Sequence, residues 1–303
     1  MQARVCLVTG ANSGLGKAAA LELAALGYRV VMVCRDTQRS EAARADIIRK
    51  SGNPNVELLI ADLASQASVR ALATTVQKNY PRVKVLVNNA GLAKAKRTLT
   101  EDGLETTLAV NHLATFLLTN LLLPTLKTSA PSRIVNVSSM VHRWGKLDFN
   151  NLQGAKHYDM DKAYNQSKLA NVLFTYELAR RLKGTGVSVN SLEPGMTLTN
   201  FAREYRGFKK LMTQLWRPFM KTPEQAAQTV VYLAVSDEVE GVSGKHFANK
   251  RPTESSNASY DVALAQKLWA VSAELTGFAN EHEGSGEVYG NGSANPAALL
   301  LVG

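Results

Sequence analysis

Apolar runs of strand length alternate along this chain with longer segments in which apolar residues recur at helical spacing. The first such unit predicts a strand at 5–8, a helix at 15–26 and a second strand at 30–33. Further predicted strands, each separated by a helix-length segment, lie at 56–60, 83–87, 134–137 and 187–192. Strands that are apolar on both faces and joined by helical crossovers build parallel sheets with helices on either side. The pattern therefore predicts an α/β fold with a doubly wound parallel sheet.

This rhythm breaks at residues 201–221, where aromatic and aliphatic side chains are mixed with lysines and arginines. The break predicts a small helical insertion that we interpret as a substrate lid, with packing on its own domain or peripheral contact with a membrane surface as the alternatives. Residues 280–303 are rich in Gly, Ser and Asn and have no periodic apolar face, as expected of a disordered or artificially added tail. The sequence therefore predicts one domain over 1–279, which includes the lid, and a tail.

The composition, with 45% hydrophobic and 20% charged residues, is that of a globular protein. The net charge of +10 is not accompanied by a basic stripe with interleaved aromatic residues, so we expect no nucleic-acid partner; the charge suits an anionic cofactor. Cys6 and Cys34 lie in apolar runs without metal-ligand spacing, which predicts core residues in a reducing compartment. No apolar stretch approaches the roughly 20 residues of a membrane span, and no signal sequence precedes the first strand, so we expect a cytoplasmic protein.

A glycine-rich segment joins the first predicted strand to the first predicted helix. Glycines at such a turn let backbone N–H groups approach a pyrophosphate, and the helix N-terminus adds favourable partial charge. The sequence therefore predicts a Rossmann-type, dinucleotide-binding domain, although the spacing differs from Gly-x-Gly-x-x-Gly and a tight turn without a ligand is the alternative. The predicted cofactor-binding residues of this turn are Gly10, Asn12, Ser13, Gly14, Leu15 and Gly16.

The end of the second predicted strand indicates which dinucleotide binds. A carboxylate there would accept a hydrogen bond from the ribose 2′-hydroxyl and repel a 2′-phosphate. The strand instead ends at Cys34 and is followed by Arg35, whose guanidinium can pair with the phosphate, with Arg39 as a helper. The neighbouring Asp36 can point away or cap the next helix. We therefore predict NADP(H) rather than NAD(H); a solvated surface charge is the alternative interpretation of Arg35.

A series of polar and glycine positions follows the later strands in order. They are Asp62 and Leu63; Asn89, Ala90 and Gly91; Asn111; Ser138 and Ser139; Tyr164 and Lys168; and Pro194, Gly195 and Thr199. Together with the glycine turn, this series resembles the short-chain dehydrogenase/reductase family in its single-domain form. The resemblance implies that Asp62 and Leu63 flank the adenine, that 89–91 line the cofactor cleft, and that Thr199 contacts the nicotinamide carboxamide near Pro194 and Gly195.

The catalytic residues follow from the same comparison and from physical chemistry. Tyr164 and Lys168 are four positions apart on one predicted helix and so share a face. A nearby ammonium favours the phenolate and lowers the phenol's pKa, which suits Tyr164 as a general acid and base. The resemblance implies that Lys168 also holds the nicotinamide ribose, that Ser139 binds the substrate oxygen, and that Asn111 anchors a water in a proton relay.

Ser139 and Tyr164 are separated by about twice the usual family interval, which places an insertion beside the substrate. Residues 145–153 and 252–277 are similar to the retinol-dehydrogenase-like branch, which acts on lipophilic alcohols, aldehydes and ketones. Ser138 is the alternative to Ser139 if the register differs by one residue. His142 and His157 in this insertion are predicted to be exposed or satisfied loop residues. Without ligand spacing for a metal, we predict no metal site.

These observations predict an NADP(H)-dependent oxidoreductase that interconverts a lipophilic carbonyl compound, an aldehyde, ketone or 3-oxoacyl derivative, and its alcohol. Because NADP(H) pools are usually kept reduced, carbonyl reduction is the working hypothesis. A non-catalytic NADP(H)-binding sensor or regulatory protein is the main alternative. A nucleotide-sugar epimerase or dehydratase has a longer C-terminal region and a different glycine spacing. Family resemblance also suggests a homo-oligomer.

Overall fold

One parallel sheet organises the structure. The computed structural model describes residues 4–195 and 220–278. The strands within these ranges are β1 Val5–Thr9, β2 Arg29–Cys34, β3 Val56–Ile60, β4 Val85–Asn88, β5 Ser132–Val137, β6 Val187–Glu193, β7 His246–Ala248 and β8 Arg251–Pro252. They form a sheet in the order β3-β2-β1-β4-β5-β6-β7-β8, in which only the β7–β8 pair is antiparallel.

Helices cross between successive strands and cover both faces of the sheet. They are α1 Gly14–Ala25, α2 Thr37–Ser51, α3 Gln66–Asn79, α4 Thr106–Thr128, α5 Met160–Arg181, α6 Pro223–Val235 and α7 Val262–Leu275. A short 3₁₀ helix, Met140–Trp144, follows β5. The predicted Rossmann-type, doubly wound single domain is confirmed.

Alternation along the strands explains the two layers. In β1, Cys6 and Val8 pack into a core cluster with α1, α2 and α6, whereas Val5 and Leu7 pack into a second cluster with α3, α4 and α5. Successive side chains of a strand point to opposite faces, so a strand that is apolar at every position needs a helix layer on each side. Cys6 and Cys34 are buried, as predicted, and burial raises the pKa of both thiols.

The order of the strands locates the binding crevice. The chain runs outward from β1 through β2 to β3, then returns to place β4 on the other side of β1. At such a reversal the loops after the two strands diverge and leave a crevice at their carboxyl ends. The glycine turn after β1 and residues 89–91 after β4 meet there.

Some elements differ from the sequence-based expectations. The fourth strand begins two residues later than predicted, at Val85, and β7 and β8 were not predicted. Both are very short, and β8 includes Pro252, a residue that strands accept only at edges or ends. The predicted lid lies outside the described residues except for 220 and 221, and so does the predicted tail.

One described helix, α4, is long and apolar enough to cross a membrane by length and composition. In the most apolar window of this helix, 94% of the residues are buried inside the domain. The helix is therefore apolar because it packs in the core between its neighbours. The sequence-based search for apolar stretches did not single it out.

Candidate active site

The turn after β1 has the backbone that its glycines permit. Gly10 and Gly14 have φ of +67° and +52°, in the left-handed region where a side chain is strained. Gly16, at the start of α1, lies against the Asn89 side chain and the Gly10 carbonyl, and a Cβ there would approach both more closely than 3.0 Å. The Asn89 amide in turn donates to the carbonyl of Thr9, at 2.8 Å. The start of the helix is therefore packed directly against the backbone of the turn and the side chain of Asn89 in the loop after β4.

Replacing Gly16 with alanine should destabilise the protein without bound cofactor. The added methyl group would force the turn away from Asn89, and such overpacking costs about 1–3 kcal/mol. The measurement is the free energy of unfolding by chemical denaturation. Gly91→Ala is the matched control because a Cβ at Gly91 meets its nearest neighbours at 3.4 Å. Equal stability of the two variants would contradict the proposed close packing at Gly16.

The first turn of α1 presents backbone donors toward the crevice. Ser13 is the N-cap residue, but its side chain makes no capping hydrogen bond within the described structure. Leu15 is buried against the first core cluster and anchors the turn. Unsatisfied N–H groups at a helix start attract a phosphate. With an open space beside Gly14, this turn fits the pyrophosphate of a dinucleotide.

The two charged residues directly after β2, Arg35 and Asp36, have different surroundings. Asp36 caps α2, because its carboxylate accepts a hydrogen bond from the backbone N–H of Arg39 at 2.8 Å. Arg35 is exposed beside it, while Cys34 is buried. The amide of Asn12 in the glycine turn donates to the buried Ser40 hydroxyl at 3.2 Å, which ties the turn to α2. Among the residues that the structure describes, no hydrogen bond or ion pair engages the guanidinium of Arg35 at this strand end.

The loops after β3 and β4 are fixed by short polar contacts. Asp62 accepts a hydrogen bond from the N–H of Ala64 at 2.9 Å, and Leu63 packs partly into the second core cluster. The Thr9 hydroxyl accepts from the N–H groups of Asn89 and Ala90, at 2.9 and 3.0 Å. Thr9 thereby joins the ends of β1 and β4. Sequence reasoning did not assign this role to Thr9, because its partners lie some 80 positions away.

The predicted Tyr164 and Lys168 share one face of α5. The Lys168 Nζ lies 5.5 Å from the centroid of the Tyr164 ring and donates to the Val137 carbonyl at 3.1 Å. Lys168 is only 3% exposed, and burial lowers the pKa of its ammonium to about 8. A Cβ placed on Gly91 would be 3.4 Å from Nζ, so the lysine reaches the loop after β4. The structure thus brings the phenol, the amine and the predicted cofactor cleft together.

The buried lysine should leave a signature in the pH dependence of stability. Its pKa in the unfolded chain is near 10.5 and in the folded protein about 8, so between these values the unfolded chain binds more protons. Raising the pH through this window therefore stabilises the folded state of the wild type relative to Lys168→Met, by about 1–3 kcal/mol. The measurement is the free energy of unfolding of both proteins, by chemical denaturation at a series of pH values. The control is Lys162→Met, because Lys162 is exposed on the same helix, and its pH curve should follow that of the wild type. A pH curve for Lys168→Met that runs parallel to the wild-type curve would contradict the lowered pKa of Lys168.

The structure distinguishes between the two serines after β5. Ser138 is buried and its hydroxyl donates to the backbone carbonyl of Lys168 at 2.8 Å. Ser139 is half-buried and is the N-cap of the 3₁₀ helix, and its Oγ accepts a long hydrogen bond, 3.5 Å, from the N–H of Val141. That contact leaves the Ser139 hydroxyl able to donate to another group. Ser139 is therefore the serine suited to bind a substrate oxygen, and Ser138 supports α5.

Asn111 is fully buried within α4 and clamps the loop after β4. Its Oδ1 accepts from the N–H of Leu92 and its Nδ2 donates to the carbonyl of Leu92, both at 2.8 Å. Nδ2 also donates to the hydroxyl of Ser167 on α5, at 2.9 Å. Asn111 thus holds the loop that carries Gly91 against the helix that carries Tyr164 and Lys168. The predicted relay water stays a prediction.

The histidines of the insertion differ from each other. His157 is exposed, whereas His142 is buried, and burial lowers the pKa of His142 to about 4. The Nδ1 of His142 lies 2.7 Å from the carbonyl of Ser139, and its Nε2 accepts from the N–H of Ser256 at 3.1 Å. His142 is therefore a satisfied, neutral residue behind the loop of Ser139.

The structure brings together one group of side chains of the kind that bind metals. The sequence spacing did not reveal it, because its members come from three distant segments. His142, Glu193 and His246 bring one ligand atom each to within 4.8 Å of one another. Both nitrogens of His142 are engaged by backbone groups, and Arg143 pairs with the carboxylate of Glu193. This arrangement is that of a structural cluster which ties the end of β6 to β7. The prediction that the protein has no metal site stays a prediction.

The remaining predicted residues follow β6. Pro194 and Gly195 lie at the carboxyl end of this strand, on the same edge of the sheet as the glycine turn, and Gly195 has a φ of +83°. Thr199 lies outside the described residues. Apart from it, the predicted site residues line the carboxyl edge of the sheet or the helices beside it.

Comparisons with known proteins agree with this arrangement. The family model described as short chain dehydrogenase matches residues 4–210. Retinol dehydrogenase 14 from Homo sapiens is 46% identical, with 91% of this chain and 87% of that protein covered. An uncharacterized protein from Mycobacterium Paratuberculosis is 35% identical at a TM-score of 0.74, covering 90% of this chain and 93% of that chain. A short chain dehydrogenase from Shigella flexneri 2a complexed with NADP is 26% identical at a TM-score of 0.65, covering 82% and 97%.

The sequence identity to retinol dehydrogenases extends over nearly the whole chain, well beyond the glycine turn. The similarity to solved structures extends over the sheet and its helices. The chain belongs to the short chain dehydrogenase family, as a retinol-dehydrogenase-like oxidoreductase.

Proposed function

We propose that this protein is an NADP(H)-dependent reductase that converts a lipophilic aldehyde, ketone or 3-oxoacyl derivative to its alcohol. The observation that carries the proposal is the pairing of Tyr164 with the buried Lys168 at the carboxyl edge of the sheet, where the Lys168 ammonium bonds to the carbonyl of Val137, two residues before Ser139. A phenol beside a desolvated amine, with a hydroxyl donor close by, is suited to exchanging a proton with a substrate oxygen.

The proposed roles follow from these positions. The bound dinucleotide would supply or accept the hydride. Tyr164 gives its hydroxyl proton to the substrate oxygen during reduction, and Ser139 donates a hydrogen bond to the same oxygen as negative charge develops there. The Lys168 ammonium favours the tyrosinate that remains. Asn111 holds the loop after β4 against the helix that carries Tyr164 and Lys168.

Arg35 and the capping role of Asp36 support NADP(H). The carboxylate that would repel a 2′-phosphate is engaged at the start of α2, and the exposed guanidinium remains beside the end of β2. The short chain dehydrogenase from Shigella flexneri 2a supports the choice, because it is complexed with NADP. The glycine turn, the first turn of α1 and the loop 89–91 would hold the rest of the dinucleotide.

Two observations support a lipophilic substrate. Met140 and Trp144 are 36% and 63% exposed on the short helix that Ser139 caps, so apolar side chains follow Ser139 directly along the chain. Large exposed apolar groups beside a polar site are typical of a binding pocket. The human relative's name, retinol dehydrogenase, also indicates a lipophilic alcohol. Peripheral membrane contact through the basic segment 201–221 and a homo-oligomer remain proposals of the same kind.

The test is the consumption of NADPH and, separately, NADH by purified protein with retinal, aryl ketones and 3-oxoacyl compounds. NADPH-selective consumption with one of these classes is the expected result. Consumption of NADH alone would overturn the cofactor assignment. Binding of NADPH without turnover of any compound would favour the alternative, a non-catalytic NADP(H)-binding sensor.

A further inference from the structure

Helix α4 is interrupted at the residue that clamps the active-site loop. Residues Ala109–Leu113 form a π-helical turn with Asn111 at its centre, and the N–H of Ala114 bonds to the carbonyl of Ala109, five residues earlier. π-helical turns are rare and often occur at functional sites. Because the turn sets the direction of the Asn111 side chain, whatever holds the turn also holds the contacts of Asn111 with Leu92 and Ser167.

The main-chain carbonyl of Asn111 is held by side chains. Nδ2 of Asn171 donates to it at 3.0 Å, and the hydroxyl of Thr115 donates to it at 3.2 Å. Asn171 lies on α5 seven positions after Tyr164 and three after Lys168, so the three side chains share one face of that helix. One helix face therefore carries the proton donor, its lysine and the group that fixes Asn111.

Asn171 is itself fixed by a buried chain of hydrogen bonds. Because its Nδ2 donates to Asn111, its Oδ1 faces His112, whose Nδ1 donates to it at 3.3 Å. Nε2 of His112 then accepts from the hydroxyl of Ser272 on α7, at 2.8 Å. Asn171, His112 and Ser272 are each at most 2% exposed, and burial lowers the pKa of His112 to about 4. A neutral histidine has one acceptor and one donor nitrogen, so His112 can accept from Ser272 and donate to Asn171 at the same time.

We propose that Asn171 is a positioning residue of the active site: held by His112 and Ser272, it fixes the π-helical turn that aims the Asn111 amide at Leu92 and Ser167. The inference rests on the proposed reductase function. Buried polar groups that are fully satisfied define one arrangement of their surroundings, and a displacement of about 1 Å at a reacting centre can cost up to about a hundredfold in rate.

The test compares Asn171→Leu with a matched control, Thr175→Val. Thr175 is equally buried one turn further along α5, and its hydroxyl bonds to Asn136 and to the Asn171 backbone but not to Asn111. The substrate is the carbonyl compound that the wild type reduces fastest in the panel above. Two quantities are measured: kcat and KM for NADPH, and hydrogen exchange in peptides that contain the Leu92 amide.

For Asn171→Leu we expect kcat to fall by about tenfold or more, KM for NADPH to change less than about threefold, and exchange at Leu92 to accelerate. Thr175→Val should match the wild type in both measurements. Wild-type kcat and exchange in Asn171→Leu, or equal losses in Thr175→Val, would overturn the inference.

If Asn171→Leu does not fold, Ser272→Ala is measured in its place. A lower kcat with faster exchange at Leu92 would support the positioning role of Asn171 and its partners, and wild-type kcat and exchange would overturn it. If the wild type reduces no compound in the panel, the proposed function fails. Exchange at Leu92 then decides the positioning role alone, because it requires no turnover.

Discussion

Replacing Tyr164 with phenylalanine should lower kcat by about 10²–10⁴-fold while NADPH binding stays close to that of the wild type. The substitution removes the hydroxyl that we propose gives its proton to the substrate oxygen. It keeps the ring, which lies 5.5 Å from the Lys168 Nζ. The measurement is steady-state reduction of the best compound in the panel, together with NADPH binding by fluorescence titration.

The matched control is Tyr176→Phe. Tyr176 is on the same helix, and its hydroxyl bonds to the Ser255 hydroxyl at 2.7 Å, away from the proposed site. This variant should lose some stability and keep its turnover. Undiminished turnover in Tyr164→Phe would refute the acid and base role, whereas loss of NADPH binding would show that the substitution disturbs the cleft itself.

Replacing Arg35 with aspartate should reduce the ratio of kcat/KM for NADPH to that for NADH by about 10- to 100-fold or more. A hydrogen bond to a charged group contributes about 1.5–3 kcal/mol, and the new carboxylate would add repulsion of the 2′-phosphate. The same carboxylate can accept from the ribose 2′-hydroxyl of NADH, so activity with NADH should be maintained or rise.

Arg82→Asp is the control with the same change in charge. Arg82 is exposed on the loop before β4, at the opposite edge of the sheet from the glycine turn. It should leave the cofactor preference unchanged. An unchanged preference in Arg35→Asp would exclude Arg35 as the group that binds the phosphate, and an equal change in Arg82→Asp would point to net charge as the cause.

The sequence was sufficient to predict β1 to β6, because each of these strands contains several aliphatic residues, most of them β-branched, over strand length and lies between helical segments. It was not sufficient for β7 and β8, whose few residues include polar ones and a proline. Such strands form because they can pair with a neighbouring strand of the sheet. The local sequence pattern does not contain that information.

The site, too, has residues that the local sequence could predict and residues that it could not. Glycine positions and the spacing of Tyr164 and Lys168 are local, so they could be identified along the chain. The choice between Ser138 and Ser139 required the position of α5, since Ser138 is used by the backbone of Lys168. The contributions of Thr9 and Asn171 depend on partners more than fifty positions away, and no local pattern reveals them.

The hairpin of β7 and β8 limits how copies of this protein can assemble. β8 runs antiparallel to β7 and pairs with it along the side that faces away from β6. Its outer side offers few free backbone donors, because it is two residues long and Pro252 has no N–H group. This hairpin is therefore a poor edge for continuing the sheet into that of a second copy.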